Sequence, residues 1–60
     1  MAKGAKFEVY QGQDDAWRWR LRAPNGEIIA SGQGFRQKRD CDRSVQLVQV
    51  YAGDAEVVYL

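Results

Sequence analysis

The feature that most limits what this chain can become is the run Trp17-Arg18-Trp19-Arg20-Leu21-Arg22. Large apolar and cationic side chains alternate strictly, a pattern that suits an extended strand with one dry face and one wet face. Trp17, Trp19 and Leu21 are therefore expected on a core, and Arg18, Arg20 and Arg22 on the opposite side, in a strand from about Ala16 to Ala23. Pro24-Asn25-Gly26 follows as a turn. Proline pre-sets φ for the first corner, asparagine suits the second, and glycine takes the left-handed position. A three-residue loop of type I plus a glycine bulge places Ala23 opposite Glu27. Counting back without interruption sets Leu21 against Ile29, Trp19 against Ser31, Arg22 against Ile28 and Arg20 against Ala30. Trp17, Trp19, Leu21 and Ile29 then form the core face with Phe7 and Val9, while Tyr10, Ile28 and Ala30 lie among the arginines.

The flanking segments complete a small sheet and a helix. KFEVYQ from Lys6 alternates as a first strand, and GQDD at 12 to 15 has the chemistry to turn it back. SGQGFRQ at 31 to 37 is a glycine-containing, flexible connection. A helix is expected from about Lys38 to Tyr51, because Cys41, Ser44, Val45, Val48 and Ala52 fall at i, i+3, i+4 and i+7 intervals. Leu47 and Tyr51 flank that stripe, and Val50 points away from it. Asp40 and Asp42 suit the positive end of the helix dipole, and Gly53 is the stop signal. DAEVVYL, apolar and β-branched, reads as a fourth strand. The expected fold class is α+β: an antiparallel sheet of three to four strands with one helix packed on one face, in the order β-β-β-α-β.

Size then raises the question of what supplements the core. Sixty residues make one domain, 1–60, with 1–5 expected to fray. A chain this short buries only about 60% of its unfolded surface, and such domains lean on disulfides, metals or self-association. Cys41 is the only cysteine and there is no histidine, so neither a disulfide within the chain nor a soft-ligand metal site is expected. By elimination the chain should pair as a homodimer. Nine basic and eight acidic residues leave a formal charge of +1, too small for a general pull toward polyanions. The N-terminal run lacks the apolar core of a signal peptide. No stretch approaches the ~18 apolar residues of a membrane span. A soluble cytoplasmic protein with no membrane partner is the expectation.

Placed in order, FEVYQGQDDAWRWRLRAPNGEIIASGQGF, Lys38 and the helix through Val45 and Val48 resemble the YegP-like small proteins of unknown function. Phe7, Glu8, Tyr10, Trp17, Arg18, Arg20, Leu21, Asn25, Gly26, Ile29 and Ala30 match that family's hairpin pattern. The resemblance covers about residues 6 to 52. It implies an α+β unit that pairs with a second one, as a tandem repeat or a homodimer, and it implies no activity. Four positions depart from the pattern. Phe35 stands where tyrosine is usual, Gln37 where a serine often caps the helix, Ser44 where glycine is frequent, and Tyr51 where the family has asparagine. Loss of a serine cap costs the first helical turn about 1 kcal/mol.

Two kinds of surface are open to such a chain. The preferred one is a protein interface built from Tyr10, Ile28 and Ala30 on the sheet and Leu47, Val50 and Tyr51 on the helix flank, since tyrosine and arginine mixed with apolar groups typify contact surfaces. The alternative is a polyanion or nucleic-acid surface using Arg18, Arg20 and Arg22, spaced ~6.5–7 Å apart along one strand face, with Arg36 and Lys38 nearby. Against it, the row also reads as a solvated strand face with Glu8 or Glu27 pairing across strands; base stacking needs exposed rings beside the cations, and alternation sends both tryptophans to the other face. GQGFRQK lacks the third glycine of a dinucleotide loop and the Gly-Lys-Ser/Thr ending of a phosphate loop. An early helical position could depress the Cys41 thiol pKa, but its place on the core stripe argues for a buried, inert side chain. Asp14 and Asp15 are read as groups that keep a hairpin tip soluble. No catalytic residue, cofactor or metal is expected, and an enzyme is disfavoured because the commonest general acid–base is missing.

Overall fold

The computed structural model describes residues 4–60; the expected fraying of residues 1–3 lies outside them. Three strands, β1 (Lys6–Gln11), β2 (Trp17–Arg22) and β3 (Ile28–Ser31), form an antiparallel sheet in the order β1-β2-β3, and one helix follows, α1 (Lys38–Ala52). The α+β class and the first four elements are those expected. The helix packs against β2 and β1, on the side to which Phe7, Trp19 and Leu21 point. Trp19 is 6% exposed and Cys41 fully buried, and among the described residues these two alone make up the buried apolar core. The Phe7 and Trp19 rings meet edge to face at 5.6 Å, a geometry their quadrupoles favour. The indole Nε1–H of Trp19 donates to Ser44 Oγ at 3.2 Å. Ser44 is one of the departures from the family pattern, and here it satisfies a nearly buried donor that glycine would leave to another partner.

Both hairpins close with the same device. At Pro24-Asn25-Gly26 the Gly26 N–H donates to the Ala23 carbonyl at 2.9 Å and Ala23 N–H to the Glu27 carbonyl at 2.7 Å. Gly26 takes φ +90°, and Asn25 Oδ1 accepts from the Glu27 N–H. At the first hairpin Asp15 N–H donates to Gly12 O and Gly12 N–H to Ala16 O, with Asp15 in the left-handed position at φ +65°. Aspartate enters that region more readily than most residues because its short side chain bonds locally.

The register beyond the second turn corrects the sequence-based count. Arg22 pairs with Ile28 as expected, but Leu21 then faces Ala30 and Arg20 faces Ser31, so Ile29 is an extra residue in a β-bulge. Ile29 is 58% exposed instead of lying in the core. Ala30 leaves the arginine face and takes its place beside Leu21. The slip has a steric reason one pair further on. Gly32 donates its N–H to the Trp19 carbonyl at 3.0 Å, and a Cβ built on Gly32 would stand 2.0 Å from Trp19 Nε1. Without the bulge Ser31 would occupy that position.

Three other expectations are revised. The 31–37 segment is not a loose loop: Phe35 exchanges both backbone hydrogen bonds with Trp17, at 2.7 and 2.8 Å, extending the third strand irregularly along β2. The helix does end before Gly53, yet that glycine stays right-handed at φ −65° and its conformational freedom is unused. Residues 55–60 form no strand. Among the described residues this segment joins neither sheet edge, and its apolar side chains lie exposed.

Candidate functional site

The face of the sheet turned away from the helix carries Arg18, Arg20 and Arg22, as the alternation required. Their charges, however, are already engaged. Glu8, on β1 opposite Arg20, accepts from Arg20 Nε at 2.6 Å and from Arg22 Nε at 3.1 Å. Arg22 also donates through Nη1 to the Gly26 carbonyl at 2.6 Å, tying the turn to the strand. Arg20 lies over the Tyr10 ring, its Cζ 4.9 Å from the centroid, which occupies one face of the aromatic. Arg18 makes a two-pronged bond to Asp14, Nη1 to Oδ1 at 2.8 Å and Nη2 to Oδ2 at 2.9 Å. The spacing was legible, since Asp14 and Arg18 are four residues apart across a tight turn, but the sequence reading assigned Asp14 only a solubilising role.

The two carboxylates register this pairing. Hydrogen bonds from Arg20 and then Arg22 hold the Glu8 carboxyl below its ordinary value, and the bond from Arg18 pulls Asp14 well below the usual carboxylate range. Arg18 is shifted up, mainly by the same bond to Asp14. These are partly exposed pairs, which screening by water keeps modest in stability. Their chemical effect is to convert a row of three cations into a mixed network that two anions largely neutralise.

Of the remaining polyanion candidates, Arg36 shares a cleft with Arg18, and Lys38 stands apart on the helix. Arg36 lines a shallow cleft with Asp14, Asp15, Ala16, Arg18, Gly34 and Phe35, so two guanidiniums there face two carboxylates. Lys38 is on the helix and is bonded to Asp42 at 2.9 Å. Gln37 precedes the helix without any side-chain cap bond, leaving the first-turn amides to the Gln37 carbonyl, reached by Asp40 N–H and Cys41 N–H. Burial pushes the Cys41 thiol up, the reverse of the depression that an early helical position could have produced. Among the described residues no cluster of three His, Cys, Asp or Glu could hold a metal ion, and no helix is long and apolar enough to cross a membrane.

Apolar side chains left in water form the other surface. Tyr10 and Ile28 lie exposed on the arginine face, Ala30 is exposed on the helix side of the edge strand β3, and Leu47, Val50 and Tyr51 are exposed along the helix. Val50 and Tyr51, at 64% and 67%, are more exposed than Leu47 at 41%. The structure does not gather these six into one patch: they fall on both sides of the sheet and on the far half of the helix. It adds a group that the sequence reading placed in a strand. Val57, Val58 and Tyr59 are 78%, 62% and 92% exposed, in a segment that joins no strand among the described residues.

Comparisons with known proteins agree with this architecture. Residues 13–58 match a domain described as a domain of unknown function, DUF1508. A UPF0339 protein of Methanosarcina acetivorans is 41% identical over 56 residues, covering 93% of this chain and 97% of its own. The solution structure of a Haloferax volcanii protein superimposes with a TM-score of 0.83 at 37% identity, over 93% of this chain and 95% of that one. A longer relative, the Stutzerimonas stutzeri UPF0339 protein of the ptx operon 5′ region, is 35% identical over 48 residues, which are 80% of this chain but only 43% of that one. The YegP-like resemblance read from the hairpin and helix is thereby met, and the chain belongs to the DUF1508 family of small α+β proteins, whose function is unknown.

Proposed function

We propose that this chain is a non-enzymatic protein-interaction module, one domain over 1–60, that pairs with a second copy of itself in the cytoplasm. The observation that carries the reading is the segment 55–60, whose valines and tyrosine stand in water with no strand to join. An exposed, β-branched apolar segment that joins neither edge of its own sheet is completed most simply by adding it as a strand to a neighbouring copy. Two further facts support pairing. A core of one tryptophan and one cysteine is thin for independent stability, and oligomerisation is a usual remedy. The longer relative has room for a second unit in the same chain, which would place the partner in covalent reach. Leu47, Val50 and Tyr51, next to the start of that segment, would be covered by the same partner.

The polyanion reading has less support, because the strand arginines are held by Glu8 and Asp14 and Lys38 by Asp42. It predicts nucleic-acid binding that weakens with salt and falls when Arg18, Arg20 and Arg22 are replaced by alanine. Light scattering over a dilution series at low and high salt separates the two. A species of twice the 6.8 kDa chain mass, which reverts to monomer when Val57 and Tyr59 are changed to lysine, supports pairing through 55–60. A monomer throughout overturns it.

A further inference from the structure

We draw no further inference here: the strongest candidate outside the pairing surface, the shallow cleft between the β1–β2 hairpin tip and the connection into the helix, sets Arg18 and Arg36 against Asp14 and Asp15, so its charge is balanced, Arg18 is already engaged, and nothing in it selects a ligand.

Discussion

Replacing Gly32 with alanine tests the packing argument at its tightest point. The new Cβ would lie 2.0 Å from Trp19 Nε1, 2.4 Å from Cε2 and 2.8 Å from Cδ1, separations no relaxed structure tolerates. The indole must move, and it is held by Ser44 and by Phe7. Shifting it gives up the bond to Ser44, about 1 kcal/mol net, and the edge contact with Phe7, roughly 0.5–1.5 kcal/mol. Strain from overpacking adds about 1–3 kcal/mol. Because these losses share one displacement they do not simply add, and about 2–4 kcal/mol is the expected total. For sixty residues at ~0.05–0.15 kcal/mol each, whole-domain stability is only about 3–9 kcal/mol, so the variant should lose much of its resistance to urea. The assay is urea unfolding followed by tryptophan fluorescence, with near-ultraviolet circular dichroism reporting indole packing. Gly26→Ala is the control: it has nothing within 4 Å of the added atom but sits at φ +90°. It should cost about 1–2 kcal/mol from backbone strain alone and leave the aromatic signal intact. In a Trp19→Leu background the Gly32→Ala penalty should shrink, since the ring atoms Nε1 and Cε2 that the new Cβ strikes hardest are then absent. A Gly32→Ala loss under ~1 kcal/mol with unchanged near-ultraviolet dichroism would refute the steric account.

Three smaller predictions follow from the same geometry. The folded state holds Glu8 below its ordinary 4.5 and Asp14 below its ordinary 3.8, so the stability these carboxylates lend is complete above those values and drains away as pH falls through the lower folded ones; urea midpoints should drop in acid, and Glu8→Gln should flatten that drop, an unchanged slope counting against the pairing. Asp15→Gly should raise the midpoint by up to ~1 kcal/mol equivalent by relieving the left-handed backbone, and a fall would show that Asp15 contributes more than a tolerated φ. Cys41, buried and with its thiol shifted up, should resist a thiol reagent in the folded protein and react at the rate of unfolding in urea; prompt labelling of native protein would contradict its burial.

How much could be read in advance follows the range of the interactions involved. The alternation from Trp17 to Arg22, the proline-asparagine-glycine turn and the spacing of Cys41, Ser44, Val45 and Val48 are short-range signals. They determined three strands, one helix and the face each tryptophan occupies, because period and turn chemistry act between near neighbours in the chain. The family pattern was legible for the same reason. Ile29 was misplaced because this bulge, unlike the one marked by the glycine of the turn, leaves no local mark. It is set by which residue must lie opposite Trp19, and only the assembled sheet and helix show that this position has no room for a Cβ. The arginine row was correct in direction, and of its two possible cross-strand partners, Glu8 and Glu27, the assembled sheet selects Glu8, which pairs with both Arg20 and Arg22. The segment from Ala55 was read as a strand from its β-branched, apolar composition. Propensity can mark such a stretch as strand-forming, but a strand exists only where another backbone accepts its hydrogen bonds. No strand among the described residues pairs with this segment, and Ala55 N–H turns back to the Ala52 carbonyl at the helix end; tertiary structure alone decides that.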